Sequence, residues 1–566
     1  MTLSAPAGAD ARTAGKVPAG TPGAAEEPRR VSQPKALTRP LWSRLGRESV
    51  LIFVLVLGLN LGVAHDLVFH LDYITVDALS RVANAFFVLF SRDPHLAAIG
   101  LVWNPLPSFL ELPLVALKGW FPWLVNRGFA GNIETAGFGA GGAVVIGMLL
   151  RDVGVGRPLR LAMVVAWVTN PMVLLYSANG MSDITLMFFL LLTGLLLLRW
   201  LRQPRDVLLV GIGTTVALAT FVRYEAIPFA ILVFGVIAVS QWRSGAPRRE
   251  LEARLLLYGL PVAFAVLFWI GANAVLMHNP LYFLNGLYSN LSQQGVVNNA
   301  GTEAAARLES WPAATGFVAS EVVHLYPAYP LCAGVALAVA LWRRRALVGV
   351  ATLLMTTAPL LLVFYLIERG SLNLNLRYFM SVIPFSFVLA AYGLGLLPKG
   401  WVKVGLGLTL AAALALGSVS TLAAMSSSRV GLQEHQVVAA ARWNRPLANG
   451  LLSEMSLGRT VQRLDRGHQL VLIDSFTGFP IVMGSRDPRL FVITSDLNFQ
   501  AALSDPQAYH IGYFLVPEPV GITRLDAIDQ RYPGFWSNGG GFATKVASLG
   551  TAEHWRLYRI TGPAPQ

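Results

Sequence analysis

The sequence predicts an α-helical polytopic membrane protein with about eleven transmembrane helices and a small C-terminal extracytoplasmic α/β domain. Three observations predict it. Hydrophobic residues make up 54% of the 566 and charged residues 13%, against about one quarter charged in a soluble globular chain. The apolar residues gather into runs of spanning length as far as Met425, after which ordinary soluble composition resumes. The loops between runs are alternately rich and poor in Lys and Arg, the asymmetry that orients a membrane protein.

This composition excludes a soluble enzyme, a disordered chain and a fibrous one. The net charge is +13, from 44 Lys+Arg against 31 Asp+Glu. In so apolar a chain the excess belongs to cytoplasmic loops and argues against a nucleic-acid partner. The single cysteine, Cys332, lies in an apolar run. It excludes a disulfide framework, a cysteine zinc site and an iron–sulfur cluster built by this chain alone.

Residues 1–47, rich in Ala, Gly, Pro, Arg and Lys without apolar periodicity, read as a disordered cytoplasmic tail. No cleaved signal is expected, because no small-residue cleavage site follows the first apolar run. The membrane domain spans 48–425. Its expected helices are Val50–Val63, Thr135–Leu150, Leu159–Ala178, Ile184–Trp200, Val207–Val222, Ala226–Ser240, Leu255–Met277, Phe317–Trp342, Ala346–Ile367, Leu376–Leu397 and Val402–Met425. Some fall short of the roughly 20 residues a bilayer needs unless their flanks are added. Five successive loops are basic on one assignment: Arg151/Arg157/Arg160, Arg199/Arg202/Arg205, Arg243/Arg248/Arg249/Arg254, Arg343/Arg344/Arg345 and Lys399/Lys403. They place the N-terminus in the cytoplasm and the C-terminal segment outside, in a cell membrane.

The outer segments differ in kind. The large first outer loop, 65–133, contains Leu101–Leu117, which Pro105, Pro107 and Pro113 make a poor spanning helix. It suits helices lying along the interface. Residues 426–566 form the extracytoplasmic domain, with a helix over Glu434–Arg445 and strands at Leu470–Ile473, Leu490–Ile493, Tyr513–Val516 and His554–Ile560. The glycines of Gly137–Gly142 lie inside an apolar span, where close helix packing explains them.

In a membrane each remaining charge asks for a reason. His65, Asp66, His70, Asp72 and Asp77 crowd the start of the first outer loop. From Val76 the apolar spacing is helical, which places Asp77 in a first turn. There the helix dipole keeps a carboxylate ionised. It can act as a general base on an acceptor hydroxyl, or it can simply cap the helix. Asp183 repeats the choice at the next outer turn, in Asn179-Gly-Met-Ser-Asp183. Arg223 and Glu225 flank Tyr224 at a third turn, as site residues or as a structural ion pair. Arg377 opens a late span beside Tyr378, placed to grip a phosphate or to snorkel. His324, before Pro327, is a further phosphate donor or an interfacial histidine. Trp103 and Tyr378 suit an aromatic belt or a sugar-stacking surface. No phosphate-binding loop, metalloprotease motif or nucleophile elbow is present.

The ordered set resembles the GT-C superfamily of polyprenyl-phosphate-sugar-dependent glycosyltransferases, in the bacterial branch of protein mannosyltransferases and the lipid A aminoarabinose transferase. The resemblance covers roughly 48–425. It rests on Val76-Asp77-Ala-Leu-Ser, Ile99-Gly-Leu-Val-Trp103-Asn-Pro105, Asn170-Pro171 through Asp183, Arg223-Tyr224-Glu225, Asn279-Pro280-Leu-Tyr282 and Arg377-Tyr378. It implies catalytic roles for Asp77, as the base, and Asp183, and donor-phosphate binding by Arg223 and Arg377, with Arg369 and His324 beside them. It also implies a substrate cavity including Asp72, Trp103, Asn179, Glu225 and Tyr378. The partners implied are a polyprenyl-phosphate sugar, membrane lipid, and a cell-envelope glycan, lipid or protein acceptor. The superfamily often carries a first-loop acid pair; here Thr75 and Val76 precede Asp77. No metal ligand or cofactor is therefore assigned, and a divalent cation (Mg or Mn) stays an open option through Asp77 with Asp183 or Asp66. Competing readings are a lipid-linked glycan polymerase or ligase, and a transporter or flippase for lipid-linked sugars. A transporter should show paired broken helices and repeats, and the sequence shows no repeat.

Overall fold

The computed structural model describes residues 46–298, 310–368, 375–464, 469–550 and 554–565. The tail expected over 1–47 therefore lies almost wholly outside the described residues, as does Arg369.

Among the described residues, eight helices are long and apolar enough to cross a membrane. They are Arg47–His70, Phe129–Asp152, Asp183–Arg202, Ala226–Arg243, Arg248–Met277, Ala346–Glu368, Leu376–Leu396 and Trp401–Ser426. Three of the eleven expected runs take a shorter or broken form. Phe317–Trp342 is two helices, Trp311–Leu325 and Ala328–Trp342, bent by 98°, and would be a ninth span only if the pair is counted as one. The bend falls at Tyr326-Pro327, where proline cannot supply the N–H that would continue the helix. Leu159–Ala178 is interrupted at Asn170-Pro171, giving Arg157–Val168 and Pro171–Tyr176. Asn170 caps the second piece, its Oδ1 accepting from the backbone N–H groups of Met172 and Val173. Val207–Val222 forms only the shorter helix Asp206–Thr220.

The basic loops at 151–160, 199–205 and 399–403 meet at one end of the bundle. Arg160 pairs with Glu48 at 2.6 Å, Arg199 with Asp152 at 2.5 Å, and Lys403 donates to the carbonyl of Val153 at 2.5 Å. The glycine-rich stretch packs helices closely, as its composition implied. A Cβ on Gly139 would strike the Ser177 side chain and come within 2.9 Å of Asn60, and one on Gly142 would lie 3.0 Å from Trp167.

In the first outer loop, helix α1 (Arg47–His65) runs through one wider turn, Asp66–His70, into helix α2 (Val76–Phe90). Helix α3 (Leu106–Val115) contains Pro113 and is far too short to span. The C-terminal unit is built on a five-stranded sheet, order β2-β1-β3-β5-β4, with β1 (Leu470–Ile473), β2 (Phe491–Ile493), β3 (Ile511–Pro517), β4 (Ala543–Leu549) and β5 (Trp555–Ile560). β1 pairs in parallel with β2 and β3, and β5 runs antiparallel to β3 and β4. β4 was not expected from sequence: it is an edge strand whose middle residues are exposed, so it lacks an apolar signature.

One apolar core joins this unit to the first outer loop. Leu79, Val82 and Phe86 of α2 pack with Val115, Met455, Val461, Phe479 and Val482. Asn449 Nδ2 donates to the carbonyls of Asp72 and Ile74, just before α2 begins. The helix that carries Asp77 is thus braced from the C-terminal side.

Gly139→Val should destabilise the bundle by about 1–3 kcal/mol, the usual cost of overpacking. Gly137→Ala should not, since a Cβ there meets nothing within 4 Å. Thermal unfolding in detergent checks the pair; equal midpoints would refute the packing role.

Candidate active site

Six elements converge on one cavity of about 230 Å³. α2 supplies Asp77, Ser80, Arg81 and Asn84. The stretch before α3 supplies Trp103 and Asn104, the 222–225 turn supplies Arg223, Tyr224 and Glu225, and Arg377 with Tyr378 opens the Leu376–Leu396 span. Leu362, Val363 and Leu366 form an apolar wall. Asn290, Gln293 and Gln294 close a further side.

Local sequence aims these groups. α2 is capped by Thr75, whose Oγ1 accepts from the N–H of Ala78, so Asp77 does not serve as the cap. Its Oδ2 instead accepts from Arg377 Nη1 at 2.9 Å, across 300 residues of chain. Burial alone would raise the Asp77 carboxyl. Arg377, with Arg81 and Arg223 beyond it, holds it below the ordinary aspartate range. Arg377 Nη1 also approaches Met181 Sδ, and its guanidinium lies 5.1 Å from the Tyr378 ring centroid. The 222–225 turn is fixed to the first outer loop: Asn104 Nδ2 donates to the Thr220 carbonyl, Leu106 N–H to the Phe221 carbonyl, and the Tyr224 hydroxyl to the Val102 carbonyl.

Six residues anticipated from sequence reach the cavity: Asp77, Trp103, Arg223, Glu225, Arg377 and Tyr378. Arg223 is already engaged by two carboxylates, Asp183 at 3.1 Å and Glu225 at 2.6 Å. Asp183 is buried behind it and is not in the cavity wall. The expected catalytic contact of Asp183 is thus replaced by a hold on Arg223.

Three other expectations are corrected by geometry. Asp72 sits outside the cavity wall and pairs with Arg127 at 2.6 Å. Asn179 is buried, its Oδ1 accepting from the Met181 N–H to shape the turn. His324 is exposed, faces Ser320 one turn back on its own helix, and does not line the cavity.

Sequence reasoning missed Arg81. It lies one turn beyond Asp77 on the same helix face, lines the cavity, and its buried Nε and Nη1 lack a hydrogen-bond partner. The i, i+4 spacing from Asp77 was the available signal. Also missed were two buried carboxyls near Arg81, Glu111 and Glu134. Burial, and then the Glu134 charge, push the Glu111 carboxyl well above its usual range.

Each acid considered for a divalent cation already has a partner. Asp77 faces Arg377, Asp183 faces Arg223, and Asp66 bonds to His70 at 2.6 Å. No group of three or more His, Cys, Asp or Glu converges on a metal position among the described residues.

No protein-family model matches the chain, and no curated protein matches it in sequence. Solved structures do match. ArnT from Cupriavidus metallidurans bound to undecaprenyl phosphate aligns with a TM-score of 0.52 at 14% identity, covering 90% of this chain and 97% of that one. ArnT from the same organism in the apo state gives 0.49, at the same identity and coverage. The arabinofuranosyltransferase AftD from mycobacteria gives 0.44 at 15% identity, covering 91% of this chain and 41% of that one. The first of these likenesses shows a fold shared with that ArnT structure over 90% of this chain.

Arg223→Ala would leave Asp183 buried without its cation, and should cost about 3–5 kcal/mol of stability. Arg377→Ala should cost much less, because Asp77 is open to the cavity. Thermal unfolding of both variants in detergent separates them; a wild-type midpoint for Arg223→Ala would contradict the structural role of this pair.

Proposed function

We propose that the protein is an integral membrane glycosyltransferase of the cell (plasma or inner) membrane. It transfers a sugar from a polyprenyl-phosphate donor to an acceptor hydroxyl of a cell-envelope glycan, lipid or protein. The observation that carries the reading is the Asp77–Arg377 pair: a carboxylate held ionised against a guanidinium, inside a cavity with an apolar wall of Leu362, Val363 and Leu366. The likeness in fold to ArnT bound to undecaprenyl phosphate supports a lipid-phosphate partner. The basic loops gathered at the opposite end from the acid-bearing turns support an outward-facing site, with the N-terminus in the cytoplasm.

The chemistry follows from these charges. Asp77 takes the proton of the acceptor hydroxyl as its oxygen bonds to the anomeric carbon. The bond from that carbon to the phosphate oxygen breaks, and the polyprenyl phosphate leaves with the electron pair. The donor phosphodiester carries one negative charge and the departing monoester gains another. A guanidinium beside it therefore stabilises the transition state more than the ground state. Arg377 lines the cavity beside Asp77, which supports this role, and Arg81 offers unused donors to the same cavity. Attack by the acceptor itself gives inversion, with no need for a second, nucleophilic carboxylate. Arg223, fixed by Asp183 and Glu225, shapes the wall. No step is assigned to a cation.

A transporter would use broken helices around a central polar site. Among the described residues, the one sharply bent helix pair breaks at Tyr326, whose buried hydroxyl donates to the Leu414 carbonyl and which does not line the cavity.

Asp77→Asn keeps the shape and removes the base. Sugar transfer from a polyprenyl-phosphate donor, assayed in membranes, should fall by about 10²–10⁴-fold; transfer at the wild-type rate would sink the assignment. Arg377→Ala removes the charge that holds Asp77 low, so the Asp77 pKa rises. The acidic limb of the pH–rate profile should then move to higher pH, and an unmoved limb would contradict the coupling.

A further inference from the structure

The amide-bearing wall of the cavity does not belong to the helical bundle. Asn290, Gln293 and Gln294 lie on the helix Asn290–Asn298, which packs against the turn Gly521–Leu525 of the C-terminal unit. Immediately before it, Tyr288 reaches into that unit. Its hydroxyl donates to Asp474 Oδ2 at 2.8 Å, and its ring stacks on Phe476 with centroids 4.6 Å apart.

Asp474 is a built receptor for this tyrosine. It is fully buried and directly follows β1. Its Oδ1 accepts from the Phe476 N–H at 2.8 Å, and its Oδ2 also accepts from the Ala527 N–H at 2.7 Å. The parallel strands β2 and β3 flank β1 on opposite sides, so Asp474 stands where the strand order reverses. In open α/β sheets that crevice, beyond the carboxyl ends of the strands, is the usual ligand position. Here a side chain of the protein's own outer loop occupies it.

The contact continues to the cavity. The Tyr288 carbonyl accepts from Gln293 Nε2 at 2.8 Å, and Ser292 Oγ donates to the Gly286 carbonyl at 2.9 Å, closing the turn. A buried carboxylate, a tyrosine and a glutamine in the cavity wall thus form one connected series.

We infer that Asp474 and Tyr288 are positioning residues through which the C-terminal domain holds the Asn290–Gln294 wall, so that its amides bind the hydroxyl-rich sugar portion of the substrate. The inference rests on the proposed transfer reaction. Amides suit that role because each offers donors and an acceptor to a hydroxyl. The domain is then part of the substrate site, although none of its residues touches the reacting atoms.

Tyr288→Phe tests it. The variant keeps the ring on Phe476 and leaves Asp77 and Arg377 untouched. Two quantities are measured on the full-length protein in lipid–detergent micelles: backbone hydrogen exchange across 286–298, and KM and kcat for transfer from a polyprenyl-phosphate sugar. A lost hydrogen bond to a charged group should accelerate exchange there about tenfold or more, and raise KM by a similar factor with kcat retained. Gln293→Ala added to Tyr288→Phe should then raise KM less than it does alone, because the two act through one contact. Unchanged exchange overturns the inference, and so does faster exchange with a wild-type KM. If the wild-type protein transfers no sugar, the functional reading and the positioning role fall together, while the exchange comparison still decides whether the contact holds the segment.

Discussion

The ion pair between Asp77 and Arg377 is the interaction on which the rest of the site depends. It joins a helix of the first outer loop to the start of a late span. Charges at the margin of hydrocarbon are costly unless paired or used. The pair ties α2 to the bundle, while the C-terminal core and Asn449 brace the helix. Capping by Thr75 leaves the Asp77 carboxylate free for this contact.

Around that pair the cavity is close to electrically balanced. Arg81, Arg223 and Arg377 stand with Asp77, Asp183 and Glu225, while Glu111 is pushed toward its neutral form. The balance is uneven in space. Arg223 is locked between two carboxylates, and a buried pair of that kind holds geometry at the expense of availability. Among the described residues Arg377 pairs with one carboxylate, and Arg81 has unused donors. On the proposed reading, a donor phosphate would meet a fixed arginine that shapes the wall and two freer ones that can follow its charge. Bracing of α2 by the C-terminal core, and of the amide wall by Tyr288, keeps these groups in place from two sides.

Much of the fold was legible because it follows from composition. Apolar runs and alternating basic loops reveal spans whatever their detailed packing. Short elements were harder, since a run broken by Asn170-Pro171 or Tyr326-Pro327 still reads as one stretch of apolar residues. β4 was invisible because its exposed middle removes the apolar signal on which strand reading depends.

At the site, legibility tracked the scarcity of charge. Asp77 and Arg377 were both expected as charges at outer turns, and they meet. Asp72, Asn179 and His324 stood at similar turns but are consumed locally, by Arg127, by the Met181 N–H and beside Ser320. Nothing in adjacent residues distinguishes a side chain turned toward its own backbone from one turned into a cavity. Arg81 was passed over because a basic residue on an outer-loop helix reads as a solvated face, and Tyr288 because its partner is 186 residues away. The most direct measurement of the central claim is an experimental structure of the protein with undecaprenyl phosphate bound. The account predicts the phosphate within hydrogen-bonding distance of Arg377, with Asp77 facing the same cavity. A phosphate bound elsewhere, with the Asp77–Arg377 pair undisturbed, would contradict it.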